Sequence, residues 1–191
     1  MEPSKPRILV KQDASTHHFF APCPRGLAAP LAEELAELGV KDARAADAGV
    51  SFSGPWDLLY TVNLRSRIAS RVLWRVGQGP YANEEDIYKL AAQVKWSHHF
   101  NADRTFKVET NAHKSPVKSL DFITLKVKDA IADQFRGAVA KRPSVATREP
   151  DIRVHVFLDA KVATLYLDTS GESLFKRGRR DHVGEAPLKK N

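Results

Sequence analysis

Between Asp151 and Arg180 the chain reads DIRVHVFLDAKVATLYLDTSGESLFKRGRR, and this stretch constrains the fold most tightly. Ile152, Val154, Val156 and Leu158 fall on one face and Arg153, His155 and Phe157 on the other, the period of two expected of a half-buried strand. Asp159-Ala160-Lys161 supplies a turn, and Val162 to Asp168 a second run rich in β-branched and aromatic residues. The pair predicts a hairpin with one face that a core must cover. Beyond Ser170-Gly171, four cations, Lys176, Arg177, Arg179 and Arg180, crowd five positions around Gly178. Such a cluster repels itself unless it is solvated or meets an anion, and a glycine lets the backbone approach that anion closely.

The charge of the whole chain points the same way once it is located. The 191 residues carry a net charge of +7. Residues 104–191 hold 18 Lys or Arg against 11 Asp or Glu, whereas residues 1–103 hold 12 of each. A neutral half followed by a basic half predicts a division of labour with a polyanionic partner.

Read from the N-terminus, residues 1–15 are expected to be a disordered leader, because they lack a signal peptide's apolar core. HHFFAP at His17 to Pro22 predicts a strand. Leu27, Leu31, Leu35 and Leu38 predict a helix that Gly39 stops. Short extended runs at 42–46 and 49–52 predict a hairpin, Pro55 to Ile68 a second helix, and Ser70 to Gly77 a strand. Strand, helix, strand, strand, helix, strand is the split βαβ, or ferredoxin-like, order. It fills residues 16–80, with Gln78-Gly79-Pro80 as the expected boundary.

The second half opens with Asn83 as an N-cap, with Asp86 three residues on, and a helix that turns Ile87, Leu90, Ala91 and Val94 inward. Thr105 to Thr110 predicts a strand. From Ser119 to about Val139, Leu120, Ile123, Val127, Ala130, Ile131 and Phe135 form a helical stripe. With the hairpin, the whole predicts an α/β fold of the α+β kind in two domains.

Several chemistries are poorly supported by these residues. A single cysteine, Cys23, allows no intramolecular disulfide and no multi-thiolate zinc site, and it suits a reducing, cytoplasmic location. No apolar run approaches a membrane span, so no membrane partner is expected. A glycine-rich phosphate loop, a G-x-S-x-G elbow and an H-E-x-x-H motif are all missing, and no catalytic residue is assigned. The pairs His17-His18 and His98-His99 have no further ligand at metal spacing, so no metal is expected. GVSFSG at Gly49 to Gly54 faintly echoes an acylphosphatase loop but lacks the arginine that would hold a phosphate. What remains is basic. Lys107, Lys114, Lys118, Lys126, Lys128, Lys141, Arg142 and Arg153, with Lys176, Arg177, Arg179 and Arg180, are the candidate RNA-binding residues, and His155, Phe157 and Phe175 offer stacking faces.

FFAPCPRGLAAPLAEEL with GVSFSG, then LKVKDAIADQF, then PDIRVHVFL and ATLYLDTSGESLFKRGRR, then GEAPLK, occur in an order that resembles the THUMP-containing guanine-N2 methyltransferases of bacterial 23S ribosomal RNA. The resemblance runs from His17 to Lys189. It implies a ferredoxin-like N-terminal domain over 16–80, a THUMP RNA-binding domain over 81–180, and a linker over 181–191 that leads into a methyltransferase domain. The family's S-adenosylmethionine-binding glycine loop and its catalytic Asn/Asp-Pro-Pro-aromatic motif have no counterpart before Asn191. The expected function is therefore an RNA-binding module that positions ribosomal RNA for a catalytic domain in cis, with no cofactor in this chain and S-adenosylmethionine for the absent domain. The alternative is a stand-alone THUMP adapter that binds tRNA or a protein partner.

Overall fold

In the computed structural model, described over residues 16–177, the chain divides into two compact units. One is built from residues 16–74 together with 168–177, the other from 75–167.

In the first unit, β1 (His17–Pro22) lies between β3 (Gly49–Gly54) and the start of β4 (Leu73–Pro80), antiparallel to both. The short β2 (Arg44–Ala46) forms a hairpin with β3. Phe19 pairs with Phe52 and Ala21 with Val50, and all four are buried on the same face. Helices α1 (Ala28–Glu37) and α2 (Trp56–Arg65) cover that face with Leu31, Leu35, Leu59 and Val62. The order β2-β3-β1-β4 is the ferredoxin-like one that the alternation of strands and helices predicts. Gly49, at φ +153°, lies opposite Pro22, where a Cβ would run into the Ala21 carbonyl oxygen, so a tight strand start requires glycine there.

Residues 168–177 complete this unit. Leu174 is 5% exposed and belongs to its core, and its amide donates to Ser70 O at 2.9 Å. Arg71 donates to Asp168 Oδ2 at 2.5 Å, to Gly171 O at 2.7 Å and to Ser173 Oγ at 3.0 Å. The Val72 amide donates to Ser170 Oγ at 2.8 Å, and Thr169 returns its amide and hydroxyl to Val72 O. The sequence places these residues at the end of the second domain, yet their bonds are with α2 and the approach to β4. The physical reason is that Ser, Thr and Asp side chains satisfy backbone groups locally here, an arrangement with no periodic signature.

The second unit orders its strands β4-β7-β6-β5, with β5 (Phe106–Ala112) parallel to β6 (Ile152–Leu158) and β6 antiparallel to β7 (Val162–Asp168). The predicted hairpin is β6–β7, with Val154, Val156 and Leu158 fully buried. Helix α3 (Glu84–Gln93) starts with a capping box: Asn83 accepts from the amides of Glu85 and Asp86, and Asp86 reaches back. Helix α4 (Leu120–Val139) is capped by Ser119, which accepts from Phe122 N at 3.2 Å. Ile123, Val127, Ala130, Ile131 and Phe135 are buried, while Leu120 is only half-buried. Trp96 is fully buried and its indole donates to Ala91 O at 2.8 Å.

Gln78-Gly79-Pro80 lies within a strand: β4 runs through it, and the two compact units divide earlier in β4, at Trp74/Arg75. The glycines mark close approach, since a Cβ at Gly77 would lie 3.1 Å from Val94 and one at Gly79 3.3 Å from Leu90. Tyr81 then fixes the strand's end. Its hydroxyl donates to Asp159 O at 2.6 Å, and Ser115 Oγ lies 2.7 Å away. The leader over 1–15 and the linker over 181–191 lie outside the described residues.

Candidate nucleic-acid interface

On the second unit, β5 and β6 alternate so that the residues between the buried valines face away from α3 and α4. Lys107 and Arg153 are partners in register, followed by Glu109 with His155 and Asn111 with Phe157. Lys107 Nζ lies 2.8 Å from Glu109 Oε1, and His155 Nδ1 lies 3.7 Å from Glu109 Oε2. Phe157 is 38% exposed, whereas the His155 side chain is only 15% exposed and Phe175 half-buried. Of the three stacking candidates, Phe157 offers the most open ring.

Lys114 and Lys118 are exposed in the connection from β5 to α4, with Lys114 in the left-handed conformation at φ +56°. Lys126 and Lys128 take opposite flanks of the buried stripe of α4, as two residues at 100° each must. Lys126 is already engaged: it lies 3.4 Å from Glu85 Oε2 and 5.7 Å from the ring centroids of both Tyr88 and Phe122. Phe122, 47% exposed, is part of this arrangement and was not singled out from sequence; a lysine four residues after an aromatic on one helix was the available signal. Lys141 pairs with Asp103 just past α4, and Arg142 beside it is exposed.

Lys176 and Arg177 belong to the first unit. Lys176 lies 3.3 Å from Glu172. Arg177 donates from Nε to Leu174 O at 3.1 Å, and from its two terminal nitrogens to Asn63 O and Ser66 O, the open carbonyls at the end of α2. A guanidinium there answers both the unsatisfied carbonyls and the negative pole of the helix. Arg179 and Arg180 lie outside the described residues. The candidates therefore divide into a pair on the sheet face, a pair before α4, two flanks of α4, a pair after it, and a pair on the first unit. The Lys176–Glu172 ion pair is solvent-exposed and worth about 0–1 kcal/mol, so a phosphate can displace the carboxylate, whereas Lys107–Glu109 is half-buried.

Among the described residues, no group of three or more His, Cys, Asp or Glu is placed to hold a metal ion, and no helix is long and apolar enough to cross a membrane. Burial, and then the neighbouring His98, push the His99 imidazole below its ordinary value.

Residues 18–73 match the RlmL ferredoxin-like domain and residues 81–168 match the THUMP domain. The chain therefore contains an RlmL-type ferredoxin-like domain placed ahead of a THUMP domain. It is 42% identical over 93% of its length to ribosomal RNA large subunit methyltransferase K/L of Pseudomonas aeruginosa. The chain spans about a quarter of the length of the curated relatives it matches. Two solved structures are similar to it at 26% identity. A predicted N6-adenine-specific DNA methylase from Listeria monocytogenes has a TM-score of 0.79, with 91% of this chain and 46% of that one covered. A putative methyltransferase complexed with SAH has a TM-score of 0.77, with 92% and 46% covered.

Proposed function

We propose that this chain is an RNA-binding module that holds ribosomal RNA for a guanine-N2 methyltransferase domain in the same polypeptide. The observation that carries the reading is the ordered pair of domains, an RlmL ferredoxin-like domain and then a THUMP domain, at 42% identity with proteins named as ribosomal RNA methyltransferases. The concentration of positive charge after residue 103 supports it, because phosphate contacts from Lys and Arg supply most sequence-independent affinity. S-adenosylmethionine is assigned to the methyltransferase domain and not to these residues, and the setting is the cytoplasm. The RNA contacts are assigned to the basic residues of the second unit, Lys107, Lys114, Lys118, Lys126, Lys128, Lys141, Arg142 and Arg153, and to Lys176, Arg177, Arg179 and Arg180.

A salt titration of binding to a structured ribosomal RNA fragment tests it. With about four to six phosphates contacted, log K falls against log salt with a slope of roughly −3 to −5. Replacing Lys107 and Arg153 together by alanine is expected to weaken all RNA sequences alike and to flatten the slope by about 2. A flat salt response in the unaltered chain overturns the reading.

A further inference from the structure

The first unit carries a groove of about 360 Å³ between α2 and the return segment 168–177. Tyr60 and Leu64, one turn apart on α2, line one side and are 57% and 77% exposed; Lys176 and Arg177 line the other. The Tyr60 ring is exposed but not loose. Its hydroxyl accepts from Trp56 Nε1 at 3.0 Å, and Trp56 in turn sits edge-on to Trp74 with centroids 4.7 Å apart. An aromatic face that is already ordered and still open to water loses little freedom when a planar group stacks on it.

The opposite rim supplies charge. Arg177 bonds to backbone carbonyls and, among the described residues, to no carboxylate, so its guanidinium is held in place and keeps its formal positive charge. Among the described residues, Lys176 has the exposed Glu172 as its ion partner, a pairing that an incoming phosphate can replace. A groove lined by an open aromatic ring and two cations complements a planar base joined to an anion.

We propose that this groove binds single-stranded RNA, with one nucleobase stacked on Tyr60 and against Leu64, and the adjoining phosphate on Lys176 and Arg177. The inference rests on the RNA-binding reading above and extends it to the first unit, where the sequence assigned no contact apart from the basic cluster at 176–180.

Anisotropy titrations of the full chain with a short unpaired oligoribonucleotide and with an RNA hairpin lacking unpaired bases test it. Tyr60→Ala is expected to weaken the unpaired oligonucleotide about tenfold with an unchanged salt slope, leaving the hairpin unaffected. Tyr60→Phe keeps the ring and is expected to keep the affinity. Unaltered thermal midpoints for these surface variants show that folding is intact. If Tyr60→Ala binds the unpaired oligonucleotide as well as the parent does, the groove is overturned. Should Lys107→Ala with Arg153→Ala still lose affinity in that case, the RNA-binding reading survives and only the groove falls. A parent chain that binds neither RNA removes both. If RNA affinity ignores Tyr60 while sedimentation shows a dimer that Leu64→Ser dissociates, the groove is an interface between copies, and the proposal is equally overturned.

Discussion

Glu34 shows how one side chain fixes a loop. It sits on α1 at 7% exposure and accepts from Ser66 Oγ at 2.6 Å and from the amides of Arg67 at 2.8 Å and Ile68 at 3.4 Å. Burial by itself would raise its carboxyl, but the bonds from Ser66, Arg67 and Ile68 together outweigh it and hold the group below the usual carboxylate range. Glu34→Ala leaves those buried donors without their acceptor and is expected to cost about 3 kcal/mol in urea unfolding at neutral pH. Because the folded value is the depressed one, the carboxylate's contribution is complete above the unfolded value of about 4.3 and disappears as pH falls through the folded value. The stability gap between the parent and Glu34→Gln should therefore narrow as the medium is acidified; a gap that widens would contradict the assignment. None of this was legible in the sequence, where a glutamate on an amphipathic helix carries no mark of burial. A polar residue earns an inward position through partners 32 to 34 residues away, and periodicity carries no information about them.

At the scale of elements, the strands and helices themselves were readable because their signals are local. The hairpin β6–β7, the cap Asn83 and the buried stripe of α4 all follow from spacing and capping chemistry within a few residues. What was not readable is where an irregular segment lands. Asp168 ends β7 and residues 169–177 follow it directly, so proximity in sequence assigned them to the second domain, whereas Leu174 and the bonds of Arg71 to Asp168 and Ser173 tie them into the first. Leu174→Ala is expected to destabilise the first unit by about 2–4 kcal/mol. Amide exchange resolves the effect by position: Phe19 and Val50 should lose protection while Val154 and Val156 keep theirs. Equal loss in both groups would mean that Leu174 does not support the first unit in particular. Arg177 illustrates the same limit: the basic run gives no sign that its guanidinium also closes the end of α2.

For the molecule as a whole, the ordered landmarks were enough to anticipate both domains, because order along the chain is a property of the sequence itself. The distribution of the cations over separate surfaces was not, since it depends on strand register and helix rotation. The assignment of cofactor chemistry elsewhere makes a further prediction. Residues 1–191 titrated with S-adenosylmethionine should give no heat of binding and transfer no methyl group to RNA, and micromolar binding in the calorimeter would move that chemistry into this chain.

The return segment also makes the first unit discontinuous, with residues 75–167 inserted between two of its parts. On the ribosome, Leu174 leaves the exit tunnel only after every residue of the inserted unit has been synthesised. At about 5–20 residues per second, the second unit has its full sequence available while the first still lacks part of its core. Of these two units, the one whose synthesis begins earlier is therefore the one whose core can be completed later.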